Sequence, residues 1–329
     1  MSEHDRPIKD TIATPMSRRS ALAGFAAAGA TIAGAAAFRP SLAAAAAGEG
    51  GATPAEVQRL FASFLAAKSA ANVDETMAFF SRRYITYWDA TAGFDFPDWA
   101  ALRAVFEHYM PMWGPAAHSY GTGLLGDNTG AALFFTNTPE EFGHEIRGIS
   151  VVDIRDRKFV RWIDYWDGRH YGIAALKGFR SPPSKFPHDF GWSKPGEHAS
   201  GRPKRTVSEL AGSLARGDYQ RAVKLFDENG ILEDLTLHTA VAGPQSIAGY
   251  LKRAVSGLPY GAGARVRHIV GGNAGGAYEW TNSRGPVPRG VSALELNAKG
   301  RIVRLSSIWD GSLVDARWLT QRMAKTIES

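Results

Sequence analysis

One stretch of the sequence places a carboxylate between two large aromatic side chains. The segment alternates as a β-strand does, which puts Trp162, Asp164 and Trp166 on one face. Aromatic neighbours desolvate a carboxyl group and raise its pKa toward the range in which it serves as a general acid or base. Asp164 is therefore the first candidate catalytic residue. The alternative is that Asp164 faces solvent or forms a structural ion pair with an arginine.

A second candidate carboxylate, Asp89, closes a short strand-like segment that also contains Tyr87. We predict that Asp89 could act with Asp164 in acid/base chemistry if the fold brings the two together. The alternative is that Asp89 initiates the turn of residues 90–93, since aspartate side chains bond to the backbone two residues further on. The Asp-Gly pairs at Asp167 and Asp310 are interpreted in the same way, as turns.

Several classes of site are excluded by the composition and by the remaining motifs. The chain of 329 residues has no cysteine, so it has no disulfide, no thiolate metal site and no cysteine nucleophile. His108 and His144 do not have the spacing of metal ligands, and residues 271–276 lack the register of a dinucleotide or phosphate loop. A Gly-x-Ser-x-Gly elbow is also missing. The sequence therefore predicts no metal and no cofactor.

The elements that would position the carboxylates occur twice along the chain. Residues 148–154 and 159–168 recur as residues 290–296 and 302–311, with the same Gly/Ser positions, Val-Arg pair and closing Trp-Asp-Gly. Each pair of segments alternates with a period of two around a short polar turn. This pattern predicts a long hairpin in each half.

Helical patterns open each half. Thr53 and Pro54 are typical of a helix start, and Thr206 with Glu209 matches a capping box. A second helix, a strand and a third helix follow in both halves, at residues 74–80, 84–89 and 98–109 in the first and 218–226, 230–235 and 245–255 in the second. Helices followed by runs of strands predict an α+β fold with a curved antiparallel sheet.

The first 47 residues resemble a twin-arginine export signal. Arg18 and Arg19 follow a serine and precede a weakly hydrophobic Ala/Gly stretch, after which Arg39 and several small residues lead to Ala47. The alternatives are an uncleaved anchor and a disordered tail with a chance arginine pair. Cleavage after Ala47 would give a periplasmic or secreted protein, exported by the twin-arginine route.

The charge of the remaining chain is mild. The full chain has 38 basic and 32 acidic residues, of which five basic and three acidic lie in residues 1–47, so 33 and 29 remain and the net charge is +4. No basic stripe with interleaved aromatic residues accompanies this charge, so nucleic acid is not an expected partner. The predicted domains are residues 53–168 and 206–320, joined by a Pro/Gly-rich linker at 169–205.

One passage of the second half carries a family resemblance. Residues 231–250 place an acidic residue before a Gly-x-x-x-Ile turn into a helix. This resembles the nuclear transport factor 2-like superfamily, which includes ketosteroid isomerase, limonene epoxide hydrolase and the SnoaL-like polyketide cyclases. The resemblance covers residues 53–168 and 206–320 and implies two cone-shaped domains, each a curved antiparallel sheet wrapped around helices. It implies a fold more than a reaction, because one such fold hosts many functions.

The resemblance also assigns candidate roles. Asp234 falls at the position of the ketosteroid isomerase base, but Leu210 and Ser292 stand where that enzyme has its oxyanion donors. Asp234 is therefore a candidate lone base, with an ordinary strand-end aspartate as the alternative. The Trp-x-Asp ending at Asp164 resembles a catalytic carboxylate of limonene epoxide hydrolase, but the Arg-x-Asp of that family is missing from residues 133–137.

The first half is richer in aromatic residues than the second. Core packing and a sheet-to-sheet contact would explain this, either in an intramolecular pseudo-dimer or in a homo-oligomer. The alternative is a pocket for a small apolar molecule, with these candidate ligand-binding residues: Tyr87, Trp113, Trp162 and Trp166. Two hypotheses remain open, an exported acid/base isomerase, cyclase, dehydratase or hydrolase, and a non-catalytic module that binds a ligand or a partner.

Overall fold

The computed structural model describes residues 53–187, 199 and 201–327. The export signal predicted for residues 1–47 and part of the linker predicted for 169–205 lie outside the described residues. Within them, every helix is too short or too polar to cross a membrane.

The first half contains five helices and six strands within the described residues. In chain order they are α1 (Ala55–Ser69), α2 (Val73–Ala78), β1 (Thr86–Asp89), β2 (Phe94–Phe96), α3 (Trp99–Tyr109), β3 (Ser119–Gly126), β4 (Gly130–Asn137), α4 (Pro139–Phe142), β5 (Ile146–Arg155), β6 (Lys158–Trp166) and α5 (Ile173–Phe179).

The second half repeats this order with one helix fewer in its described part. The elements are α6 (Gly201–Arg216), α7 (Tyr219–Val223), β7 (Phe226–Asp234), β8 (Thr239–Ala242), α8 (Pro244–Ala254), β9 (Arg265–Gly272), β10 (Gly275–Thr281), β11 (Arg289–Leu296), β12 (Ile302–Trp309) and α9 (Ala316–Met323).

Each half forms one six-stranded sheet, in the order β2-β1-β6-β5-β4-β3 and β8-β7-β12-β11-β10-β9. The predicted α+β fold with two domains is confirmed. The sheets are mixed rather than wholly antiparallel, because β1 pairs with β6 in parallel and β7 pairs with β12 in parallel. Parallel partners need a long connection between them, and here each connection is the rest of the sheet.

Helix α1 lies against the inner face of the first sheet. Its buried residues Val57, Phe61, Phe64 and Leu65 recur at helical spacing and pack into the first hydrophobic core.

The predicted capping box at Thr206 is wrong. Helix α6 begins five residues earlier, at Gly201, and a proline in its first turn supplies a helical φ without needing an N–H partner.

A glycine recurs near the start of β5 and near the start of β11, and tight packing explains it. A Cβ at Gly148 would lie 2.5 Å from the carbonyl oxygen of Tyr165 and 2.8 Å from the ring of Phe135. At the equivalent Gly290, it would lie 2.3 Å from the ring of Trp280. Only glycine allows this close approach, so the repeated residue marks tight packing in both sheets.

The outer faces of the two sheets pack against each other within the chain. They form a third hydrophobic core, separate from those beneath the helices, with these fully or nearly fully buried members: Trp88, Ala90, Ala132, Ile149, Val151, Ile163 and Tyr165 from the first sheet, and Val270, Ala277, Val291, Ala293 and Ile308 from the second. Each half thus covers the sheet of the other, as in an intramolecular pseudo-dimer. A homo-oligomer stays a prediction.

Buried charges cross this contact between the sheets. The guanidinium of Arg161 donates to Glu279 at 2.5 Å, and the hydroxyl of Tyr165 donates to the same carboxylate at 2.7 Å. Burial opposes the ionisation of Glu279, but the charges of Arg161 and Arg267 outweigh it and lower the pKa of Glu279 to about 2. The ion pair therefore stays charged in a place that water does not reach.

Candidate functional site

Asp89 and Asp164 lie side by side in the first domain. They are register partners on the parallel strands β1 and β6, and partners in register point to the same face of a sheet. Trp162 and Trp166, which share that face of β6, belong to the core beneath the helices. The two carboxylates therefore point into the interior of the first domain, where the alternation of β6 places Asp164.

The carboxylate of Asp89 accepts hydrogen bonds both from the backbone of a turn and from a side chain in the interior of the domain. Its Oδ1 accepts hydrogen bonds from the backbone N–H groups of Thr91 at 2.9 Å and Ala92 at 2.6 Å. The indole N–H of Trp166 lies 2.9 Å from both carboxylate oxygens. Burial, and after it the charge of Asp164, raises the pKa of Asp89 to about 7 even though these donors act in the opposite direction.

Asp164 is held by three side-chain donors. Its Oδ1 accepts from the Ser150 hydroxyl and from the Trp162 indole N–H, both at 2.6 Å, and its Oδ2 accepts from the Tyr87 hydroxyl at 2.6 Å. Burial raises the pKa of Asp164, and these donors only partly offset that effect. Asp164 is 9% exposed and pairs with no arginine among the described residues. It is a fixed acceptor that also orients Tyr87.

The proton of Tyr87 is held firmly in this arrangement. Burial is the main cause that raises the pKa of the Tyr87 phenol well above its usual value, and the neighbouring Asp164 charge adds to it. Tyr87 therefore stays protonated at neutral pH and donates its hydrogen bond to Asp164. Its ring stacks on that of Trp162, with 6.0 Å between centroids and 3° between planes.

A second polar cluster in the same interior was not foreseen from the sequence. The Nζ of Lys68 donates to Ser119 at 2.7 Å, to Asn137 at 2.9 Å and to Glu141 at 3.1 Å. The charge of Lys68 lowers the pKa of Asp164, so the two groups share one electrostatic environment. The signal that could have revealed this cluster is the position of Lys68, which continues the apolar stripe of α1.

The four predicted ligand-binding residues differ in exposure. Trp162 and Trp166 are only 3% and 1% exposed, and their N–H groups bind the two carboxylates. Tyr87 and Trp113 are half-buried. The ring of Trp113 lies 5.7 Å from the Nζ of Lys68, so it borders the second polar cluster. Tyr87 and Trp113 are thus the more exposed pair, whereas the indole N–H groups of Trp162 and Trp166 hold the two carboxylates.

The second domain repeats the turn around Asp89 without its surroundings. Asp234 accepts from the backbone N–H groups of Thr236 and Leu237 and from the indole of Trp309, and burial raises its pKa to about 6. However, Asp234 is 0% exposed, and its register partner on β12 is Ser307 rather than a second carboxylate. The structure does not bring Asp234 together with Asp89 and Asp164.

The lysine is also replaced in the second domain. The N–H of Asn72 bonds to the carbonyl of Ala67 after α1, and the N–H of Asp218 bonds to that of Ser213 after α6. This equivalence places the fully buried Leu214 where the first domain has Lys68. The second domain thus has a serine in place of the second carboxylate and a leucine in place of the lysine, and both are fully buried. The first domain is therefore the better candidate for activity.

One group of residues in the described chain has the geometry of a metal site. Possible ligand atoms of Asp167, His170 and His238 all lie within 4.8 Å of one another. The guanidinium of Arg169, however, donates to both oxygens of Asp167, and this cation would have to move before a metal ion could bind. His108 and His144 do not belong to this group.

Comparisons with known proteins return structural neighbours only. No protein-family model and no curated protein matches the chain. An NTF-2 like protein of unknown function from Burkholderia xenovorans LB400 is 15% identical, with a TM-score of 0.29, and covers 34% of this chain and 82% of its own. A steroid delta-isomerase from Pseudomonas aeruginosa is 14% identical, with a TM-score of 0.32, and covers 40% of this chain and 93% of its own.

Proposed function

We propose that the first domain binds a small apolar molecule and transfers a proton to or from it, with Asp89 as the general base. The observation that carries this proposal is the placement of Asp89 beside Asp164 in a desolvated interior, which raises the pKa of Asp89 to about 7. A base with a pKa near the working pH can accept a proton and return it.

The neighbouring groups have distinct roles in this proposal. Asp164 holds Tyr87 and places a second carboxyl group beside the base. The charge of the buried Lys68, which is paired with Glu141, contributes to the electrostatic environment of Asp164. An apolar interior with a few convergent polar groups is the usual composition of a small-molecule site. The reaction class remains isomerisation, cyclisation, dehydration or hydrolysis.

The alternative is a domain that binds a ligand without chemistry. One specific observation favours it. Asp89 Oδ1 already accepts two backbone hydrogen bonds, as in an ordinary aspartate turn, and Asp234 in the closed second domain does the same.

Proton exchange in D₂O distinguishes the two functions. We expect the purified protein to catalyse deuterium exchange at the carbon next to the carbonyl group of at least one member of a panel of cyclic ketones, followed by NMR. Asp89→Asn removes the base and should slow the exchange about 10²- to 10⁴-fold. Asp234→Asn is the matched control and should leave the rate unchanged. If a ketone binds to the unchanged protein but exchanges no faster than it does with Asp89→Asn, the non-catalytic alternative is favoured.

We also propose that the protein is exported by the twin-arginine route, on the basis of Arg18 and Arg19 and the Ala/Gly stretch that follows. Cell fractionation tests this. Replacing both arginines with lysine should keep the protein in the cytoplasm, because the route depends on the arginine pair. The unchanged protein should appear outside the cytoplasm with its first residues removed, and equal distribution of the two proteins would contradict export.

A further inference from the structure

A cavity of about 280 Å³ opens in the second domain, away from Asp89 and Asp164. It lies between the loop after α8, the loop joining β10 to β11, and helix α9. Its apolar wall includes Leu258, Pro286 and Trp318, and its charged groups are Arg284 and Arg322. None of its lining residues is acidic, so two positive charges face the cavity without a negative one.

Arg322 is a poorly satisfied guanidinium. It lies over the indole of Trp318, 3.7 Å from the ring centroid. Its hydrogen bonds are long, at 3.4 Å to the carbonyl oxygen of Gly257, 3.5 Å to that of Trp318 and 3.3 Å to the side chain of Gln321. Partial burial lowers the pKa of Arg322. Its charge is therefore partly desolvated without a carboxylate to compensate.

Arg284 faces the same cavity from the opposite loop. Its backbone N–H bonds to Asn282, while its guanidinium forms no hydrogen bond or ion pair within residues 53–187, 199 and 201–327. Both amide hydrogens of Asn282 are used, since its Nδ2 donates to the carbonyl oxygens of Pro259 and Ala262, and its Oδ1 accepts from the backbone N–H of Arg284. Apart from the hydroxyl of Ser256, the side-chain hydrogen-bonding groups left in the cavity are thus the guanidinium donors, which match an acceptor-only ligand.

We propose that this cavity binds a small organic carboxylate, whose charge lies between Arg284 and Arg322 and whose apolar part lies against Trp318. Guanidinium groups recognise carboxylates with paired hydrogen bonds, and the positive groups with no acidic neighbour favour an anion. The volume and the apolar wall exceed what an inorganic anion needs. This site is independent of the function proposed for the first domain.

Benzoate is the probe, and the indole N–H signal of Trp318 in ¹⁵N NMR is the readout, assigned with Trp318→Phe. We expect benzoate to shift this signal in a saturable manner. Benzyl alcohol, which has the ring without the charge, should bind at least about 10-fold more weakly, because a hydrogen bond to a charged group contributes about 1.5–3 kcal/mol. Inorganic phosphate should also bind more weakly, because it lacks an apolar part.

Four variants of the full protein complete the test. Arg284→Gln and Arg322→Gln should each weaken benzoate binding about 10-fold or more, whereas Arg317→Gln, an exposed residue of the same helix, should not change it. Arg322→Lys retains the charge without the planar fork and should give an intermediate affinity; it also serves if Arg322→Gln does not fold. The proposal is overturned if benzoate leaves the Trp318 signal unchanged, if the glutamine variants bind as the unchanged protein does, or if phosphate binds as well as benzoate.

Discussion

Glu279→Met is expected to lower the free energy of unfolding by about 3 to 5 kcal/mol, because it leaves the guanidinium of Arg161 buried without its partner. The side chains of Arg161 and Glu279 are 1% and 0% exposed, so water cannot replace the lost carboxylate. Urea unfolding at pH 7 measures the effect. Because the pair joins β6 to β10, its loss should also weaken the packing of the two sheets against each other.

Two control variants identify the cause of this loss. The double variant Arg161→Met/Glu279→Met replaces both charges with apolar groups and should recover most of the stability. Tyr165 loses its acceptor in the single variant and in the double variant alike. The free-energy cost of that lost hydrogen bond therefore cancels when the two variants are compared. The exposed pair of Arg103 and Glu107 is the surface control, and Glu107→Gln should cost less than about 1 kcal/mol. A double variant no more stable than Glu279→Met would contradict the prediction.

Asp89→Asn is expected to stabilise the protein at pH 8 and to leave it almost unchanged at pH 4. In the folded protein the pKa of Asp89 is raised from 3.8 to about 7. A carboxyl group with a raised pKa favours the folded state while it is protonated, and this contribution is lost as the pH rises through the folded-state value. Asparagine stays neutral at both pH values, so the loss does not occur in the variant.

The size of this effect follows from the shift. Each unit of pKa difference corresponds to 1.36 kcal/mol, so we expect a gain of about 2 to 4 kcal/mol at pH 8, with the lower end reflecting the partial exposure of Asp89. Urea unfolding of both proteins at pH 4 and pH 8 gives the comparison, with pH 4 as the internal control. An equal difference at both pH values would mean that ionisation of Asp89 is not the cause. Such a gain on removing a carboxylate is typical of residues kept for function rather than for stability.

Local patterns allowed part of the fold and site to be predicted. The repeated Trp-Asp-Gly segments predicted two similar domains, and strand alternation placed Asp164 between Trp162 and Trp166. Strand alternation needs only neighbouring residues, and the repeat needs only a comparison of two short segments of the sequence. The residues 148–168 and 290–311 contain their own hairpins, so their pairing could also be inferred from one stretch of sequence.

The rest depends on contacts between distant residues. Asp89 meets Asp164 because β1 pairs in parallel with a strand 75 residues further on, and no local pattern specifies that register. Lys68 on α1 and Glu141 on α4 are 73 residues apart and meet only through the packing of these helices in the folded domain. The capping box at Thr206 failed because an earlier proline starts the helix upstream. Local signals thus predict which elements form, and tertiary packing decides which side chains share an interior.

The pKa of Asp89 is the most direct test of the proposed acid/base function. Carboxyl ¹³C NMR of the purified protein, titrated with pH and assigned with Asp89→Asn, measures it without a known substrate. We expect a value near 7, because Asp89 lies in a desolvated interior beside the charge of Asp164. A value near the unperturbed ~3.9 would show a solvated turn residue and would contradict Asp89 as the base.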